Sequence, residues 1–119
     1  MADRRKAEAR GRRAELLAAL WLACKGYRVL ARGLRTPVGE IDLVVRRGRV
    51  VAAVEVKARA SQAAAGEAIQ RRQRRRIARA LAWFLKGRPE LAGADLRFDA
   101  VLIGGILPRH LPDAWRPDV

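Results

Sequence analysis

Acidic residues set inside apolar, β-branched runs constrain this chain more than any other feature. Gly39-Glu40-Ile41-Asp42-Leu43-Val44-Val45 and Val54-Glu55-Val56-Lys57 both have this form. A buried carboxylate is costly unless it is paired or holds a cation. The turn-like Arg47-Gly48-Arg49 lies between the two strings, which therefore read as the arms of a hairpin. Side chains of a strand alternate between its faces. Ile41, Leu43 and Val45 then share one face of the first arm, and Glu40, Asp42 and Val44 share the other. On the second arm Val54 and Val56 oppose Glu55 and Lys57. Pairing of the arms brings Asp42, Glu55 and Lys57 to one side of a sheet.

Around this hairpin the pattern predicts an α/β domain in the order αβββαβ, spanning 1–119 as a single unit with an irregular tail from about residue 104. Residues 3–25 read as a helix whose apolar stripe is Leu17, Leu20, Trp21 and Cys24. Strands are expected over 27–35, 38–46, 50–59 and 96–103, with Thr36-Pro37 as a break. Residues 60–67 read as a loop. A second helix over 68–86 carries Ile77, Leu81, Phe84 and Leu85 on its apolar face and ends at Gly87 and Pro89. Trp21, Trp83 and Phe84 are expected in the core, and Trp115 as an exposed aromatic for a partner. Asp99 is expected to pair with an arginine on an adjacent strand.

Charge narrows the partner. The 119 residues hold 26 basic and 12 acidic side chains, a net +14, which favours a polyanion such as nucleic acid. Arginine in place of lysine fits a GC-rich genome, but such drift leaves the shortage of acids unexplained. Scarcity excludes other chemistries. One histidine (His110, given no role), one serine (Ser61) and one cysteine (Cys24) rule out a His-based metal site, a Ser/His/Asp triad and an internal disulfide within one chain. Cys24 is expected to be a small buried residue, which suits a reducing cytoplasm. The basic N-terminus followed by Leu16–Cys24 imitates a signal peptide. That apolar run is too short to span a bilayer, and Lys25-Gly26 ends it as a helix would end. No membrane partner is expected.

Two carboxylates converging on a sheet suit Mg²⁺ or Mn²⁺, hard ions that accept oxygen ligands and keep several waters. Asp42 and Glu55 are the expected ligands, with the Val56 carbonyl as a third oxygen and Glu15 reaching in from the first helix. Lys57 would orient or help deprotonate the water that attacks a phosphodiester. It is one of only four lysines in a chain with 22 arginines, and an ammonium can take part in proton transfer where a guanidinium cannot. The plainer alternatives are a Glu55–Lys57 ion pair along one strand face and Asp42 as a turn cap.

These residues resemble the PD-(D/E)XK, or restriction-endonuclease-like, superfamily. Asp42 matches the lone Asp and Glu55-Val56-Lys57 matches (D/E)XK, with Ile41 where that pattern has Pro. The chain resembles more closely the YraN-like family of small bacterial proteins. The matching segments are Gly11-x-x-x-Glu15, Gly39-Glu40-Ile41-Asp42-Leu43, Val54-Glu55-Val56-Lys57-x-Arg59, the basic second helix and Arg97-Phe98-Asp99. The resemblance implies an endonuclease-like core with a central mixed sheet flanked by helices, and a nuclease or Holliday-junction-resolvase-like role. It leaves a homodimer open. Arg72 stands where the family has Lys, keeping charge but not shape. Glu40 and Arg59 lie close enough in sequence to contribute to the site.

The second helix opens with Arg71-Arg72-Gln73-Arg74-Arg75-Arg76. Arg72, Arg76 and Arg79 form one stripe, Arg71 and Arg75 its neighbour, and both lie off the apolar face. Such a stripe would hold a phosphate backbone without reading sequence. Gln73 resembles the helix glutamine of related nucleases. Three functions follow. The first is a Mg²⁺-dependent endonuclease on branched or damaged DNA. The second is a non-catalytic nucleic-acid-binding module that retains the nuclease fold. The third is a basic protein-interaction subunit.

Overall fold

Three successive β-branched runs, punctuated by Thr36-Pro37 and Gly48, become the first strands of a five-stranded mixed sheet. The computed structural model describes residues 2–58 and 71–117, and of 2–8, 10 and 71 it describes the backbone alone. The elements are α1 (Ala2–Cys24), β1 (Arg28–Thr36), β2 (Gly39–Arg47), β3 (Val50–Lys57), α2 (Arg71–Lys86), a 3-10 turn (Pro89–Leu91), β4 (Asp95–Leu102) and β5 (Arg109–Leu111). Strand order follows the chain, β1-β2-β3-β4-β5. The β3–β4 pair is parallel, with α2 between them in sequence, and the other pairs are antiparallel. The expected loop at 60–67, Arg59 and the helix start at 68–70 lie outside the described residues.

The two helices cover opposite faces of the sheet. Beneath α1 lie Leu43, Val45, Ala52, Val54 and Val101; beneath α2 lie Ile41, Val44, Val51 and Ala53. Consecutive β3 residues alternate between the two clusters, as a pleated strand requires. On α2, Ile77, Ala80, Leu81 and Phe84 are buried, close to the expected face.

On α1 the expected phase is wrong. Ala14, Ala18, Ala19 and Leu22 are buried, whereas Leu17 and Leu20 are 49% and 56% exposed, Trp21 is half-buried and Cys24 is exposed. Small alanines let the helix approach the sheet closely, and that close packing outranks the larger side chains one step around the helix. Trp83 is also exposed rather than in the core.

The tail corrects a second expectation. It contributes β5, and Trp115 is buried against Phe98 with ring centroids 4.5 Å apart. Asp99 is fully buried and pairs with Arg97 of its own strand, not with an arginine of a neighbouring strand. Arg97 Nε and Nη2 donate to its two oxygens at 2.8 Å each. The Asp113 N–H donates at 3.0 Å, and His110 on β5 lies 2.8 Å away. Lys25 Nζ stands 2.7 Å from the other ring nitrogen of His110. An ammonium can only donate, so Nδ1 accepts and Nε2–H donates to Asp99. Arg97 also donates to the Tyr27 hydroxyl at 2.6 Å. This network fastens β5 and the tail to the end of α1.

Candidate active site

The β2–β3 ladder runs from Arg47↔Val50 to Leu43↔Val54 and stops there. Strict alternation also fails at that point, because Ile41 packs under α2 with Val44 while Leu43 packs under α1. This differs from the expected face shared by Ile41, Leu43 and Val45. Asp42 sits at the break. Its Oδ2 accepts the Val56 N–H at 2.8 Å, capping a backbone donor that the ladder leaves unpaired. The N–H and C=O of one strand residue point to the same side. The Val56 carbonyl therefore faces the same gap.

Gly39 opens this strand for a steric reason. A Cβ there would lie 2.9 Å from the Arg76 carbonyl oxygen, so the glycine allows α2 to cross the start of β2. Gly33 on β1 has φ +61°, and a Cβ there would lie 3.5 Å from Glu15 Oε1. Glu15 thus leans from α1 over β1 toward β2.

The acids interact strongly. Glu55 is 5% exposed, in line with apolar residues of β3, and its Oε1 is buried with no hydrogen-bond partner among the described residues. Burial, and then the charge of Asp42, push its carboxyl up to about 8, with Lys57 opposing. Burial also raises Asp42, against the Val56 N–H, a hydrogen bond with Glu55 and the Lys57 charge. Glu15 is raised by burial and by Asp42, with Arg32 and Arg12 opposing. Asp42, Glu55 and Lys57 are therefore mutual neighbours, and Glu15 feels Asp42. Among the described residues no group of three or more His, Cys, Asp or Glu is gathered closely enough to hold a metal.

Glu40 is exposed and pairs with Arg35 at 3.8 Å, and its charge reaches both Glu15 and Asp42. Arg72, Arg75, Arg76 and Arg79 are exposed on α2 and Gln73 is half-buried. Arg59 and the Arg71 side chain fall outside what is described.

A cleft of about 900 Å³ opens between α1 and the β1–β2 arm. Glu15, Glu40 and Asp42 line it together with Arg12, Arg13, Arg32 and Arg35, whereas Glu55 and Lys57 do not. The four cleft arginines escape a sequence search. Their only signal is Arg12, three residues before Glu15 on the same helix.

The profile of the uncharacterised protein family UPF0102 matches residues 14–103, which include every element that builds this site except the first half of α1. The chain belongs to the UPF0102 family. This is the family that the YraN-like resemblance indicated. A UPF0102 protein of Parvibaculum lavamentivorans is 62% identical over 108 residues, covering 90% of this chain and 81% of that protein. UPF0102 protein amb4503 of Paramagnetospirillum magneticum is 56% identical over 117 residues, covering 94% and 91%. UPF0102 protein Mmar10_3014 of Maricaulis maris is 51% identical over 115 residues, covering 96% and 91%. No helix among the described residues of this UPF0102 protein is long and apolar enough to cross a membrane.

Proposed function

We propose that this UPF0102 protein is a Mg²⁺-dependent nuclease with a restriction-endonuclease-like core, acting in the cytoplasm on branched or damaged DNA. One observation carries the proposal: Glu55 is buried beside Asp42 with a carboxylate oxygen that no described residue satisfies. An orphaned buried acceptor next to a second acid fits a divalent cation. Asp42, Glu55 and the Val56 carbonyl would hold Mg²⁺ or Mn²⁺. Two carboxylates suffice for Mg²⁺, which fills its remaining positions with water. When bound, the ion would supply Lewis-acid stabilisation of the phosphoryl oxygens and lower the pKa of water.

The chain's own groups do the rest. Asp42 is positioned by its bond from the Val56 N–H and by its hydrogen bond with Glu55, which sets the two carboxyl groups side by side. Lys57, whose charge reaches both acids, orients the attacking water and holds or passes its proton. Glu15 approaches Asp42 from the cleft side and assists. Arg72, Arg75, Arg76 and Arg79 add a positive field around the substrate, with phosphate contacts that carry no sequence information.

The absence of Glu55 and Lys57 from the cleft lining supports a second reading, a module that binds nucleic acid and cuts nothing. Calorimetric titration with Mg²⁺ or Mn²⁺, together with cleavage of a four-way DNA junction, separates the two. The nuclease proposal expects metal binding that Asp42→Asn and Glu55→Gln abolish, and cleavage that Lys57→Ala removes while metal binding is kept. Salt-sensitive DNA binding without metal uptake or cleavage would leave the binding module.

A further inference from the structure

We propose that a single polynucleotide strand crosses the cleft between α1 and β1–β2, with Arg12, Arg13, Arg32 and Arg35 holding successive phosphates and Asp42 and Glu15 on its floor. The proposal deepens the nuclease reading by naming the surface on which the substrate strand lies. The sequence points instead to the arginines of α2.

Three observations support the cleft. First, the cleft reaches Asp42, and Glu15 leans into it over Gly33. Second, its guanidinia come from two different elements, α1 and β1, so they border both sides of the opening. Third, Arg12, Arg13 and Arg32 form no ion pair within 4 Å among the described residues, although carboxylates line the same cleft. Guanidinia that are not spent on neighbouring acids remain available to phosphate oxygens, which they contact in a planar fork.

The rest of the lining indicates what kind of ligand fits. Leu16 and Leu34 give the sugar an apolar surface, and among the described residues no aromatic side chain lines the cleft. Stacking of bases on aromatic rings, a common source of affinity in single-strand binding, is therefore absent there. Recognition rests on the phosphodiester backbone, so DNA and RNA strands share it. Four arginines against Glu15, Glu40 and Asp42 leave little net positive charge, so a divalent cation should tighten binding.

Fluorescence anisotropy with labelled single-stranded DNA, single-stranded RNA and duplex DNA, in EDTA and across salt concentrations, tests this without any need for cleavage. The combined variant Arg12→Ala/Arg13→Ala/Arg32→Ala should reduce the log–log salt slope for single strands by roughly 2, at about 0.7 per lost phosphate contact. The combined variant Arg72→Ala/Arg75→Ala/Arg76→Ala should reduce it by less than half as much. Photo-crosslinking of a 4-thiothymidine strand should label peptides from residues 9–16 and 32–35. Circular dichroism verifies that both variants fold. Crosslinks on α2 alone, or an unchanged slope in the cleft variant, would overturn the proposal. Cleft binding with no cleavage in Mg²⁺ would overturn the nuclease reading and leave the cleft proposal standing. A stronger response to DNA than to RNA, or the reverse, identifies the strand.

Discussion

The sharpest consequence of the site concerns Glu55 and pH. Burial first, and Asp42 second, raise its carboxyl from 4.5 to about 8. The folded chain therefore holds this proton more tightly than the unfolded chain. Stability from this group is complete below about pH 4.5 and is lost as pH rises through about 8. Each pH unit across that interval is worth up to about 1.4 kcal/mol, which sets a ceiling near 5 kcal/mol. Asp42 shares the proton with Glu55, so the loss that unfolding should register between about pH 5 and about pH 9 is on the order of 2–3 kcal/mol. Glu55→Gln keeps the shape and removes the titration. Urea unfolding of both proteins in EDTA should give similar stability near pH 5 and a more stable Gln variant near pH 9. Added Mg²⁺ should restore wild-type stability at the higher pH and leave the Gln variant unchanged, because metal and proton compete for the same oxygens. A wild type that is equally stable at both pH values, with Glu55→Gln several kcal/mol weaker at the higher one, would mean that Glu55 is ionised in a structural pair with Lys57.

Three other outcomes follow from the geometry. Asp99→Asn should cost about 3–5 kcal/mol in chemical unfolding, because it removes the buried negative charge that pairs with Arg97. Burial opposes ionisation of Asp99, but bonds from His110, Arg97 and the Asp113 N–H hold its pKa below 3.8. Its stabilisation is therefore present above that value and lost as pH falls through the lower folded pKa, so acid unfolding should begin at higher pH in the Asn variant. On α1, Leu22→Asp should unfold the domain while Leu20→Asp should change stability by less than about 0.5 kcal/mol, since Leu22 is fully buried and Leu20 is 56% exposed. Thermal denaturation distinguishes the two. Gly39→Ala should lower stability by about 1–3 kcal/mol by forcing α2 away from β2, measurable in the same unfolding assay.

Local patterns made much of this molecule readable in advance. The order of the six main elements follows from periods of two and 3.6 residues and from Gly and Pro at their ends. The clustering of Asp42, Glu55 and Lys57 was visible because acids inside apolar strands break a strong rule, and pairing of the two strands brings them together. Other features were decided only by tertiary packing. The buried side of α1 depends on how close the helix comes to the sheet, and alanines win that contact over Leu17 and Leu20. The break at Asp42 arises where β3 leaves β2, which no single strand's alternation encodes. His110 and Asp99 lie far apart in sequence from Tyr27 and Lys25, and only the return of the tail beside β4 joins them. The cleft arginines belong to the same class. Charge on a helix and charge on a strand look alike in a sequence, and only the packing of α1 over Gly33 turns four of them toward the acids.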